Sequence, residues 1–388
     1  MAEVADILII GAGPAGLAVA GCLAQRGLRP LVIERCGQVA ASWHAHYERL
    51  HLHTVKALSA LPGMAFAEDA PRYVSRQGVV DYLSRYAQQH AVTPLFGEEA
   101  IAITPCATGW QTGTAAGRRF VSRTVVLASG ANRVPRVPVI AGQALYRGQV
   151  MHSQAYRNAA PFAGQRVLVV GMGNTGAEIA LDLAEHGVRT ALSVRSALNL
   201  VRRDVLGRPT QVSSIMLSKL PTAWGDQAAT WLRDLTVGDL SRWGLQTAAI
   251  SPLRQLREQG KTPVIDVGTL SRIQRGEILV HPGIENLTRT GVRFVSGSEH
   301  DFDCLILATG YQAQVEKLFP GPKPALDSNG MPLSVAGEGA LRGAYFVGFD
   351  IRQPGGLLRT IAAQARQVAQ AIASTSASTS APSGQSGL

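Results

Sequence analysis

Two glycine clusters carry the strongest chemical signal in the chain. Gly11-Ala12-Gly13-Pro14-Ala15-Gly16 and Gly171-Met172-Gly173-Asn174-Thr175-Gly176 share the spacing G-x-G-x-x-G, and each lies between a short apolar run and a stretch of helix formers. In that context the first glycine permits a tight turn, the second lets a pyrophosphate approach the backbone, and the third lets the helix pack on the strand. The helix start then faces the phosphates with unpaired N–H groups and a partial positive charge. In each unit the next apolar run ends in a charged residue at the spacing where a ribose is read: Glu34, 23 residues after Gly11, and Arg195, 24 residues after Gly171. A carboxylate bonds ribose hydroxyls and repels a 2′-phosphate, whereas a guanidinium grips the 2′-phosphate. Two nucleotides are therefore expected. The second is NADPH rather than NADH, with Arg202 and Arg203 adding positive charge nearby.

The other candidate residues are weaker. His44, His46, His51 and His53 crowd one irregular segment together with Trp43 and Tyr47. Their i, i+2 spacing does not align them on a helix face, and no H-E-x-x-H pattern accompanies them, so hydrogen-bonded loop residues are expected rather than a metal site. This segment follows the ribose-binding strand directly and is placed to wrap the rest of a flavin. Cys22, Cys36, Cys106 and Cys304 form no C-x-x-C pair, which argues against zinc and against a dithiol redox centre. Cys22 and Cys304 read as core residues. Asp350, after a late apolar run, is a candidate partner for a ribityl hydroxyl.

These residues need elements to hold them. Strands are expected at 6–10 and 30–33, with a helix between them running through Gln25. An amphipathic helix is expected at 77–90, where Val79, Val80, Leu83, Tyr86 and Ala87 share a face, and a β-meander at 110–126. Two runs, Leu127-Ala128-Ser129-Gly130 and Leu307-Ala308-Thr309-Gly310, read as matched strand ends where the chain crosses between domains. Residues 205–260 are helical in pattern. Short strands are expected at 278–280, 292–295 and 345–348. Pro354-Gly355-Gly356 opens a last helix whose apolar face is Ile361, Ala365, Val368 and Ile372, and whose start is placed to abut a flavin ring. From Ser374 the chain is Ser, Thr, Ala and Gly, and a disordered tail is expected.

Composition narrows the class. With 37 Lys and Arg against 27 Asp and Glu the net charge is +10, which attracts anions. No Lys/Arg block with interleaved aromatics is present, so no nucleic-acid partner is expected. Glu3, Asp6 and the early glycines argue for a buried strand and helix at the N-terminus rather than an export signal. No uninterrupted apolar run is long enough for a membrane span, and the unpaired cysteines suit a reducing cytoplasm.

The run Tyr146-Arg147-Gly148-Gln149-Val150-Met151-His152-Ser153-Gln154-Ala155-Tyr156 matches the pattern F-x-G-x-x-x-H-x-x-x-Y, with Tyr for the leading Phe. Lying between two glycine loops, it marks a resemblance to flavin-containing monooxygenases. The Baeyer–Villiger relatives carry Trp where Tyr156 stands. The segments 31–43, 49–61, 166–183 and 260–270 resemble more narrowly the plant-type YUCCA enzymes, and the likeness extends to about Ile372.

The resemblance implies an α/β fold of two Rossmann-like dinucleotide-binding domains, with an NADPH domain inserted into a discontinuous FAD domain. The expected division is 1–150 for the first part of the FAD domain, 151–303 for the NADPH domain with a helical insertion at about 205–260, 304–373 for the second part of the FAD domain, and 374–388 for the tail. Gly11 through Gly16, Glu34, Ser42 and Trp43 carry over as FAD contacts. Asn174, Thr175 and Arg195, on the loop with Gly171, Met172, Gly173 and Gly176, carry over as NADPH contacts. Arg35, Gly130, Asn132, His152, Gly310 and Asp350 complete the expected cofactor set. Many relatives place an Asn where this chain has His53, which becomes the candidate for controlling protonation.

The implied activity is that of a single-component FAD- and NADPH-dependent monooxygenase that uses molecular oxygen and forms a peroxyflavin. It would convert an arylpyruvate such as indole-3-pyruvate into an arylacetate. N- or S-oxygenation of a small amine or sulfur compound is the alternative within the family. A pyridine-nucleotide reductase or NADPH oxidase is the rival outside it, and a nucleotide-binding scaffold without turnover is the non-enzymatic one.

Overall fold

A computed structural model describes residues 2–380. Strand β1 (Glu3–Ile10) ends in a fully buried apolar run, as expected of a strand covered on both faces. Helix α1 (Pro14–Ala24) follows, and then β2 (Leu31–Glu34), parallel to β1 with Ile10 opposite Ile33. Helix α2 (Arg76–Gln89) is capped by Ser75, whose Oγ accepts from the Gly78 N–H at 3.2 Å. The five apolar positions expected on its inner face are all buried. The chain continues through β3 (Leu95–Phe96) and a meander of β4 (Ala100–Cys106), β5 (Gly109–Thr114) and β6 (Arg119–Leu127).

After β6 the chain leaves this sheet. It forms β7 (Gln149–His152), β8 (Arg166–Val170), α3 (Asn174–Glu185) and β9 (Arg189–Ser193). Helices α4 (Thr210–Leu217), α5 (Thr222–Val237) and α6 (Pro252–Gln259) follow, then a short helix at Thr269–Gln274, and then β10 (Ile278–His281) and β11 (Cys304–Leu307). The return leg is β12 (Ala344–Phe346) and the long helix α7 (Leu357–Ser380).

Two sheets result. The first is seven-stranded, in the order β3-β2-β1-β6-β5-β4, with β12 also pairing β6. The second is five-stranded, in the order β10-β9-β8-β11-β7. Because β12 comes from beyond the second sheet, the first unit is discontinuous and the second is an insertion. The two crossings meet: Val134–Pro135 pairs antiparallel with Tyr311–Gln312. Helix α7 lies on α1, and its residues Ile361, Ala365, Val368 and Ile372 enter the core shared by α1 and α2. The isoleucines and the valine each contribute about 1.5–3 kcal/mol on burial, and the Ala365 methyl about 0.8 kcal/mol.

Three expectations need correction. The boundary at 150/151 falls inside β7, which pairs β11 in the second sheet. The boundary at 303/304 assigns β11 to the FAD part, yet β11 sits between β8 and β7, with Leu307 opposite both Val170 and His152. A buried parallel strand carries no local sign of which sheet it will join. Residues 374–380 continue α7 rather than forming a disordered tail. Ser374 and Thr375 return their hydroxyls to the carbonyls of Gln370 and Ala371 at 3.0 Å each, a contact compatible with a continuing helix. The remainder of the expected tail lies outside the described residues.

Candidate cofactor and active site

The two glycine loops superimpose in their local chemistry. Gly11 donates to the Ile33 carbonyl at 2.8 Å, and Gly171 donates to the Ser193 carbonyl at 2.9 Å. Both take left-handed φ angles, +109° and +101°. A Cβ at Gly16 would fall 1.8 Å from the Gly11 carbonyl oxygen, and one at Gly176 would fall 2.0 Å from that of Gly171. Only glycine therefore allows helix and strand to close. Gly13 and Gly173 differ, because a Cβ there meets nothing within 4 Å. Each is the N-cap of its helix in extended backbone, and neither has a side-chain cap. The first-turn N–H groups of α1 and α3 are left facing open space, which fits the pyrophosphate of a dinucleotide at each loop.

The matched strand ends form the opposite wall. The Ala128 carbonyl oxygen lies 2.6 Å from the position a Gly11 Cβ would take, and the Ala308 carbonyl oxygen 2.8 Å from that of Gly171. Gly130 and Gly310 follow with φ of +86° and +83° and open space around both. Asn132 is exposed just beyond Gly130. His152 lies at the crossing, its Nε2 3.1 Å from the Gly310 carbonyl oxygen and its ring edge-on to Tyr311.

Glu34 accepts from the Ala12 N–H at 2.7 Å and the Cys36 N–H at 3.0 Å, so its carboxylate both fixes the loop and stands at its mouth. Arg35 is exposed and pairs loosely with Glu99, at 3.9 Å. Ser42 and Trp43 sit on a short helical turn, Ala41–His44, with Ser42 exposed and Trp43 half-buried. Asp350 accepts from the Arg352 N–H at 3.1 Å. Arg195 lies just past β9, exposed and without an ion-pair partner among the described residues.

Two other expectations change. The Asn174 amide is engaged within the protein: Oδ1 accepts from the Ile265 N–H at 2.7 Å and Nδ2 donates to the Pro263 carbonyl at 3.3 Å. What Asn174 offers a phosphate is its backbone N–H. Arg202 and Arg203 do not gather at Arg195. Arg203 lies over the Tyr73 ring, 4.1 Å from its centroid, and Arg202 lies 3.6 Å from Asp266.

The sequence reading missed a cluster where the units meet. Glu178 on α3 is only 3 % exposed, and its Oε1 stands 2.8 Å from His53 Nε2. That is ion-pair distance, but the approach is out of line for a hydrogen bond, and Oε1 has no hydrogen-bond partner. Tyr47 is buried nearby; desolvation and the Glu178 carboxylate push its phenol well above the usual range. One turn along α3, Asp182 accepts from the Tyr156 hydroxyl at 2.6 Å, and at the helix end Glu185 pairs with Arg49. The signal available was an acid pair four residues apart within the apolar run Ala177–Leu183. An open polar recess beside the cluster is lined by Arg49, His51, His53, Arg72, Arg203 and Glu178. Burial lowers the pKa of His46, with the Arg157 guanidinium adding to the effect.

Two glycine loops, each opening a helix, thus lie in two units joined by a paired crossing and by the close contact of His53 with Glu178. The model of the flavin-binding monooxygenase-like family matches residues 4–319. The chain belongs to that family. It is a flavin monooxygenase that works with FAD and NADPH. This family member is 37% identical over 360 residues to indole-3-pyruvate monooxygenase YUCCA1 of Oryza sativa subsp. japonica, covering 91% of this chain and 88% of the relative. Among solved structures, a flavin-containing monooxygenase from Stenotrophomonas maltophilia matches with a TM-score of 0.74 at 20% identity, over 96% of this chain and 99% of the other. Cyclohexanone monooxygenase from Rhodococcus sp. Phi1, bound to NADP+, matches with a TM-score of 0.72 at 18% identity, over 97% and 85%. At these identities the structural likeness is one of fold. No helix among the described residues is long and apolar enough to cross a membrane.

Proposed function

We propose that this flavin monooxygenase holds FAD on the loop Gly11–Gly16 and NADPH on the loop Gly171–Gly176, and converts an aromatic 2-oxo acid, with indole-3-pyruvate the expected member, into the arylacetate. The 37% identity to an indole-3-pyruvate monooxygenase over 91% of the chain carries the substrate reading. The balanced reaction consumes one oxo acid, one NADPH, one proton and one O2. It yields one arylacetate, one CO2, one NADP+ and one water. The flavin, when bound, supplies the redox chemistry between NADPH and oxygen.

The chain's own residues bind and orient. The α1 and α3 N-termini take the two pyrophosphates, Glu34 takes ribose hydroxyls at the first loop, and Arg195 takes the 2′-phosphate at the second. His53, beside Glu178, is assigned as the residue that controls protonation where the two units meet. The unpaired cysteines support a reducing, cytoplasmic setting, and no nucleic-acid partner is proposed.

The test is mass spectrometry of products from indole-3-pyruvate, phenylpyruvate, a tertiary amine and a thioether under 18O2. Arylacetate carrying one labelled oxygen is expected from the two oxo acids. Hydrogen peroxide as the sole product from all four overturns the reading.

A further inference from the structure

We infer that the apolar cavity walled by α4, α5 and α6 and floored by the segment 351–357 seats the substrate's aromatic ring, with Arg202 at its edge reading the carboxylate. The identity of the acid rests on the arylpyruvate reading above; the place rests on geometry. The cavity offers about 150 Å³ of space between these walls. Val205, Leu217, Ala229, Leu232, Leu256 and Ile265 contribute to its lining, a set suited to a flat apolar ring.

Two guanidinium groups border it, and they differ. Arg233 is 6 % exposed, and its donors are committed to Asn199, the Ala248 carbonyl and Asp234. It ties the wall together. Arg202 is looser: Nε donates to the Thr236 carbonyl at 3.2 Å, Nη1 stands 3.6 Å from Asp266, and the side chain is 44 % exposed. A guanidinium has five N–H donors, so Arg202 retains capacity for a carboxylate.

The floor connects this cavity to the first glycine loop. A Cβ at Gly348 would come 2.9 Å from Ala15 in α1, and one at Gly356 would come 2.5 Å from Thr54, next to His53. The stretch from Gly348 to Gly356 therefore runs from the helix expected to face the FAD pyrophosphate to the lining of the cavity. The helical segment that the nucleotide loops left unexplained thus gains a purpose, as the side of the molecule that encloses an aromatic acid.

Calorimetric binding of indole-3-acetate to the flavin-loaded protein, alongside KM for indole-3-pyruvate, tests this. Ala229→Phe, which fills the cavity, is expected to weaken both about tenfold or more. Arg202→Gln is expected to weaken indole-3-acetate about tenfold while leaving the binding of uncharged indole unchanged. Leu235→Phe, on the exposed face of α5, serves as the control and is expected to change neither. If Ala229→Phe does not fold, Leu256→Ala is read in its place, with the affinity ratio of indole-3-acetate to phenylacetate expected to rise about threefold. An unchanged ratio overturns the inference. So does failure of the native protein to bind indole-3-acetate, or turnover and affinity untouched in folded Ala229→Phe, while the decarboxylase reading stands if indole-3-pyruvate is still converted. Binding that is lost in Ala229→Phe, without conversion of any arylpyruvate by the native protein, keeps the aromatic-acid site and sinks the decarboxylase reading instead.

Discussion

His53 Nε2 and Glu178 Oε1 lie 2.8 Å apart although one residue belongs to the wrapping segment of the first unit and the other to the nucleotide helix of the second. Glu178 is almost wholly buried, so removing His53 strands a carboxylate away from water. His53→Ala is expected to cost about 1–3 kcal/mol, below the figure for a fully buried pair because the imidazole is partly solvated. Adding Glu178→Gln should recover part of that loss. Urea unfolding of the two single variants and the double variant measures the coupling, and strictly additive costs would show that the pair does not join the units.

Arg195 should decide which nicotinamide cofactor is used. Arg195→Ala removes a charge-assisted contact worth about 1.5–3 kcal/mol, so KM for NADPH should rise roughly 10- to 150-fold while KM for NADH stays near its starting value. Equal effects on both would move the 2′-phosphate site elsewhere.

The glycines of the first loop separate cofactor binding from folding. Gly13→Ala adds a methyl where the free protein has only space. The apoprotein should melt as before, yet purify with less flavin. Gly16→Ala drives a methyl against the Gly11 carbonyl and should lose both flavin and stability. Visible absorbance per mole of protein, read beside the apoprotein melting temperature, distinguishes these two outcomes.

Acid should destabilise the fold through its histidines before its carboxylates. Burial lowers the pKa of His46, His90, His152 and His281 below the ordinary 6.5. Below pH 6.5 the unfolded chain therefore binds protons that the folded chain refuses, and stability falls as pH drops towards the folded values. Asp303, held at about 2 by Arg166, acts in a lower window: its stabilisation is present above 3.8 and lost as pH falls through 2. Melting temperature should be level from pH 8 to 7 and decline between 6.5 and 5. Replacing His90, whose Nε2 is buried without a partner, by Gln should flatten that decline. A slope unchanged in His90→Gln would remove His90 from the account.

The two loops were legible because their function is local: three glycines at fixed spacing, a strand before and a charge after. The inner face of α2 was legible for the same reason, since a helix repeats its apolar positions within a few residues. What sequence concealed was non-local. Nothing around Asn174 announces that Pro263 and Ile265, about ninety residues on, will occupy its amide. Leu305 and Ile306 have the same apolar character in either sheet, and only the assembled register places β11 beside β8. Glu178 was hidden because an acid inside an apolar run has no meaning until its partner from the other unit arrives.

The pairing of Val134–Pro135 with Tyr311–Gln312 has a topological consequence. The points where the chain enters and leaves the inserted unit are neighbours, about 5 Å apart as in any ribbon. To the first unit, the whole insertion is one long surface loop with its ends already clasped, and the chain beyond it returns to set β12 against β6. The same clasp gathers both connections between the halves at one place, beside His152 and Gly310.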